Sequence, residues 1–109
     1  MSYLGEFEQL ILFSVLRLGD DAFGVSIREH IEERTGRTIS SGAIYTALGR
    51  MEERGFVSSR VGDTEGRPGR PRKYYDLTPE GARTLKATYS TVQSMAGGLL
   101  PKLTELAES

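Results

Sequence analysis

Cysteine is absent from the 109 residues. Its absence excludes disulfides, thiolate metal sites and cysteine nucleophiles. Histidine is almost absent: His30 stands alone, without a second imidazole to build a metal site. Its plainer reading is a partly exposed residue on a helix. No run approaches the roughly 18 apolar residues that a spanning helix needs. Met1-Ser2-Tyr3-Leu4-Gly5-Glu6 lacks the positive start and small-residue cleavage site of a secretory signal, so a cytoplasmic location is expected. No carboxylate pair, histidine base or phosphate loop has a supporting context, so no enzyme, cofactor or metal site is expected. There is no basic excess either. A net charge of -1 argues against a purely electrostatic polyanion binder.

What is present is a small, moderately apolar chain, 38% hydrophobic, with enough residues for one domain and a modest core. Its charge is unevenly placed. Residues 1–35 hold three cations and seven acids, residues 36–75 eight cations and four acids, and residues 76–109 three cations and four acids. A positive zone therefore lies between two acidic ones, and local potential matters more than the total. Its densest part is Gly66-Arg67-Pro68-Gly69-Arg70-Pro71-Arg72-Lys73-Tyr74-Tyr75, with four cations and no acid.

Periodicity predicts a first helix over residues 4–18, in which Leu4, Phe7, Leu10, Ile11, Phe13, Ser14, Val15 and Leu18 cover well over half the circumference. A helix that apolar needs burial on more than one side. Gly19-Asp20-Asp21 ends it. A second helix is expected from about Phe23 to Thr35, with Ile27 and Ile31 on one face and a solvated, charge-paired remainder. Gly36 stops it. Ser40-Ser41 supplies an N-cap for a third helix, which buries Ile44, Leu48 and Met51 and ends at Gly55.

Val57, Ser59 and Val61 alternate with Ser58 and Arg60, as a half-buried strand should. A return strand from about Lys73 to Leu77 completes a hairpin, with Tyr75 inward because it shares parity with Leu77. The long loop between the strands is of the kind that carries function or moves. Thr78 caps a last helix, with Pro79 in its first turn. Along it Leu85, Tyr89, Val92, Ala96, Leu99, Leu103 and Leu106 repeat at alternating spacings of four and three, a heptad seam. Gly97-Gly98 and Pro101 should kink or break it. The seam serves either a second copy or its own domain.

Three helices, a hairpin and a long helix outline a winged helix-turn-helix: a mainly α fold with a two-stranded β-hairpin (α+β). Residues 1–77 would form the DNA-binding unit and 78–109 a C-terminal dimerisation helix. In such folds the third helix enters the major groove and the hairpin flanks it. Ser41 and Gly42 keep the helix start small. Tyr45, Thr46 and Arg50 fall off the apolar stripe and are candidates for groove or phosphate contact, although Arg50 could instead pair with Glu52 or Glu53. Arg67, Arg70, Arg72 and Lys73 would meet phosphates from the wing. Gly-Arg-Pro followed by Arg-Lys also resembles the core of the AT-hook, which would lay Arg70 into a narrow A·T minor groove. A competing class is a winged-helix protein-interaction module without DNA binding.

Ile44-Tyr45-Thr46-Ala47-Leu48-Gly49-Arg50-Met51-Glu52-Glu53-Arg54-Gly55-Phe56-Val57 resembles the recognition-helix motif of the PadR-like transcriptional regulators. Gly69 to Gly81, through Lys73-Tyr74-Tyr75-Asp76-Leu77-Thr78-Pro79-Glu80, resembles their wing and the start of their last helix. The chain departs at Thr46, where the family often has proline. The resemblance implies a bacterial homodimeric repressor on a double-stranded inverted-repeat operator. It also implies an aromatic or drug-like effector, in a cleft that Phe7, Ile11, Tyr89 and Met95 would line. The dimer interface would use Leu4, Phe7, Ile11, Leu85, Tyr89, Val92, Ala96, Leu99 and Leu103.

Overall fold

The computed structural model describes residues 3–62 and 71–109. Glu8 opens the first helix, α1 (Glu6–Leu18), by accepting the Gly5 amide at 2.9 Å. A single 3-10 turn, Gly19–Asp21, leads to α2 (Gly24–Thr35). Ser26 accepts the Phe23 amide at 3.0 Å, and Gly36 ends α2 in the left-handed region at φ 73°. α3 (Ser41–Glu53) is capped by Ser40, whose hydroxyl accepts the Ala43 amide at 3.1 Å. Glu32 steers the connection between α2 and α3. One of its oxygens holds Arg28 and the other accepts the Ile39 amide at 2.8 Å.

Strands β1 (Val57–Val61) and β2 (Lys73–Leu77) pair antiparallel, with Val57 opposite Leu77 and Val61 opposite Lys73. The pairing extends further than the hairpin pattern predicts. Phe23 forms an isolated antiparallel bridge with Tyr74, and the Tyr75 amide donates to the Ala22 carbonyl at 2.8 Å. The segment before α2 thus serves as a short third edge of the sheet. Two residues carry too little alternation to reveal such an edge in a sequence.

Thr78 caps α4 (Pro79–Ala96) by accepting the Gly81 amide at 3.0 Å, and its hydroxyl donates to the Gly55 carbonyl at 2.6 Å. Gly81 lets α4 start against the turn after α3, for a Cβ there would strike the Phe56 carbonyl. After Gly97 and Gly98 a separate short helix follows, α5 (Leu100–Ala107). The expected break at the two glycines is real, and Pro101 falls in the first turn of α5, where its missing amide costs nothing.

One core joins α1, α2, α3 and the sheet. Ile11, Leu12, Ile27, Ile44, Leu48 and Met51 are fully enclosed, and Tyr75 lies inward as its parity required. Three expectations change. Leu4, Ile11 and Leu85 are buried in the protomer's own core, so they offer no surface to a partner copy. Ile11 is equally unavailable to a ligand cleft. Val61 is 70% exposed, because β1 has by then run beyond the core into the wing. Only the first half of α4 touches the core, through Gly81, Thr84, Leu85 and Thr88.

Candidate nucleic-acid interface

The stripe that buries Ile44, Leu48 and Met51 leaves the opposite face of α3 to solvent. Ser41, Gly42, Tyr45, Thr46 and Arg50 are all exposed there. Gly42 and Gly49 have nothing within 4 Å of a would-be Cβ, so the helix presents a low, open face. The Tyr45 ring is fixed sideways: it leans on Gly24 at the start of α2, where any Cβ would collide with it. Arg50 makes no ion pair with Glu52 or Glu53 among the described residues, and Glu52 holds Lys73 instead.

The wing base stands beside this face. Phe23, Val25, Glu29, Tyr45, Pro71, Arg72 and Lys73 line one open groove of about 740 Å³. The recognition-type helix and the base of the hairpin therefore share a side of the molecule. Arg67 and Arg70 lie outside the described residues. Gly62 admits the returning strand: its amide donates to the Arg72 carbonyl at 2.7 Å, and the Tyr74 ring occupies the place of a Cβ.

The cations of the positive middle third differ in how they are held. Lys73 reaches Glu52 at 3.0 Å, and Glu52 also accepts the Ser59 hydroxyl. The Ser59 bond first and Lys73 second hold the Glu52 carboxyl below its ordinary range, while the Glu52 bond raises Lys73. Arg37 and Arg54 are paired to α1, with Glu6 at 2.6 Å and Glu8 at 3.2 Å. Arg60 lies 3.4 Å from Asp76. Arg72 is held by a ring instead, its guanidinium 4.3 Å from the centroid of Phe23. Counting charges along the chain missed these pairings, since every acid involved lies well beyond one helical turn from its cation in sequence.

Away from this face, Tyr89, Val92, Ala96, Leu99 and Leu103 are exposed on α4, on α5 and between them, as are Met95, Leu100 and Leu106. Phe7 is half-buried against the core. Beside them Phe13, Leu16, Leu77, Leu85 and Tyr89 line an apolar groove of about 260 Å³, with Tyr89 edge-on to Phe13 at 5.7 Å. His30 sits between α1 and α2, its Nδ1 2.9 Å from the Ser14 hydroxyl. Among the described residues no group of three metal-ligating side chains forms, and no helix is long and apolar enough to cross a membrane.

A three-helix core, a hairpin wing and an open third helix beside it define a winged helix-turn-helix protein. Residues 12–87 match the model of the Transcriptional regulator PadR-like family, and the chain belongs to that family. It is similar to a PadR family transcription regulator from hypervirulent Clostridium difficile, with a TM-score of 0.71 and 27% identity over 89% of this chain and 98% of that one. A transcriptional regulator from Clostridium thermocellum matches with a TM-score of 0.69 and 27% identity, over 81% of each chain. A PadR-like transcriptional regulator from Bacillus cereus shares the fold, with a TM-score of 0.70 and 21% identity over 90% of each chain. A search of curated proteins finds no match.

Proposed function

We propose that this PadR-like regulator is a sequence-specific repressor that binds an inverted-repeat operator as a two-fold homodimer in the cytoplasm. The observation that carries the reading is the shared groove: Tyr45 of α3 and Pro71, Arg72 and Lys73 of the wing line the same opening. An α-helix fits the major groove of B-DNA, and a flanking cationic hairpin reaches the adjacent backbone. Ser41, Gly42, Tyr45, Thr46 and Arg50 would face the groove. Arg67, Arg70 and Arg72 would neutralise phosphates, and Lys73 would join them by exchanging Glu52 for a phosphate.

The dimer is argued from burial. α5 has eight residues, and its four apolar side chains Leu100, Leu103, Leu106 and Ala107 are all exposed in the protomer. A helix this short is marginal without tertiary contacts. Packing α4 and α5 against a second copy would cover Tyr89, Val92, Ala96, Leu99 and Leu103 together. Two-fold symmetry then sets the half-sites about 34–36 Å apart, or a multiple of that. The apolar groove beside Tyr89 supports an aromatic or drug-like effector that alters the dimer's geometry and releases DNA.

Selection of bound fragments from the source genome tests the reading. The expected result is a small set of inverted repeats with that spacing. Indifferent capture of all fragments, or of none, would overturn it.

A further inference from the structure

Phe23 lies outside α3 and outside the wing, yet it lines the groove they share and packs against the wing. Its backbone bridges Tyr74, and Ser26 fixes its amide, so the base of its side chain is anchored. One neighbour is the Tyr74 ring, edge-on at 5.5 Å, whose face in turn carries Arg60 at 4.9 Å. The other is the Arg72 guanidinium at 4.3 Å. The four side chains form a ladder, Arg60–Tyr74–Phe23–Arg72, across the base of the wing.

We infer that Phe23 is a positioning residue for DNA binding: it holds Arg72 at the mouth of the groove without neutralising it. The physical reason is the contrast with Lys73. A carboxylate that fixes a cation also cancels its field, as Glu52 does for Lys73. An aromatic face attracts the cation through its quadrupole and carries no net charge. A guanidinium held over a ring has N–H groups left to give to a phosphate, which a lysine ammonium cannot do as well. Arg72 is thus ordered before the duplex arrives without pairing to a carboxylate among the described residues, and the ordering cost is met in the free protein. This inference rests on the DNA-binding reading.

The test uses the full chain with Phe23→Leu, Phe23→Tyr, Arg72→Ala and Arg72→Lys, and a mixed-sequence duplex as probe. In the free wild type the Arg72 side-chain protons should be shifted upfield by the ring, a signature kept in F23Y and lost in F23L. In salt titrations F23L should weaken duplex binding by about three- to ten-fold and lower the salt slope by about one, with F23Y restoring both. R72A should add nothing on top of F23L, and R72K should behave like F23L although Phe23 is intact and the charge is kept. That last variant decides the matter if F23L melts below the assay temperature. Equal losses from R72A with and without Phe23, or R72K binding like wild type, would overturn the role of Phe23 alone. A wild type that binds no duplex at low salt would overturn the regulator reading together with it.

Discussion

Glu52 and Lys73 meet at 3.0 Å across the junction of α3 and β2, with the Ser59 hydroxyl on the other carboxylate oxygen. One acid thereby ties the recognition-type helix to both strands of the wing. The same contact removes a positive charge from the face proposed to meet DNA.

Glu52→Gln should release Lys73. Both side chains are substantially exposed, so the loss of stability should be only a few tenths to about 1 kcal/mol. Binding of a mixed duplex should strengthen, and its salt slope should steepen by about one, because a freed ammonium displaces a counterion. A slope equal to the wild-type value would show that Lys73 does not face phosphate.

The pair also predicts a pH dependence. Glu52 is lowered by Ser59 and Lys73, so its contribution is complete above the unfolded value of about 4.3 and disappears as pH falls through the lower folded value. Lys73 is raised by Glu52, so its contribution is complete below about 10.4 and is lost as pH rises through the higher folded value. Urea unfolding across pH should show a smaller acid and alkaline decline in E52Q than in wild type.

Glycine-to-alanine changes should separate stability from binding. At Gly49 the added methyl meets open space, so Gly49→Ala should stabilise α3 by about 0.5–1 kcal/mol through helix propensity. It should also weaken duplex binding, because the methyl raises the low face. At Gly81 the methyl meets the Phe56 carbonyl and comes within 2.9 Å of Leu77 Cδ1, so Gly81→Ala should cost about 1–3 kcal/mol despite the same propensity. Urea melts beside duplex titrations read out both.

Arg50→Ala should leave the melting temperature unchanged, since Arg50 is exposed and unpaired among the described residues. Operator affinity should fall by about 1–3 kcal/mol if Arg50 reads a base edge. A loss that is uniform across sequences would place it on a phosphate instead.

Leu103→Glu tests the dimer without touching the core, because Leu103 is 58% exposed in the protomer. Sedimentation should show a monomer, and circular dichroism a loss of helix corresponding to α5. A wild type that is already monomeric at working concentration would contradict the interface.

Much of the fold was legible because its signals are local. Ser40 and Thr78 announce helix starts through side-chain chemistry that acts within three residues. Tyr75 could be placed inward from the parity of its strand alone. The candidate face of α3 followed from subtracting the stripe of Ile44, Leu48 and Met51. The division of labour among the cations was not legible. Arg54 and Glu8 are 46 residues apart, and Arg37 and Glu6 are 31 apart. Neither separation leaves a mark on local charge pattern.

The amino-acid order by itself determined the first three helices and the hairpin, the caps at Ser40 and Thr78, and a weak point in the last helix at Gly97-Gly98, because each depends on backbone preference or on side-chain periodicity over a few residues. Only the tertiary structure decided which apolar stripe was already spent. Leu4, Ile11 and Leu85 turn into the core while Tyr89, Val92 and Leu103 do not. It also decided that the Phe23 ring comes to rest under Arg72. Periodicity states that a side chain must be covered, but what covers it depends on where distant segments meet in space.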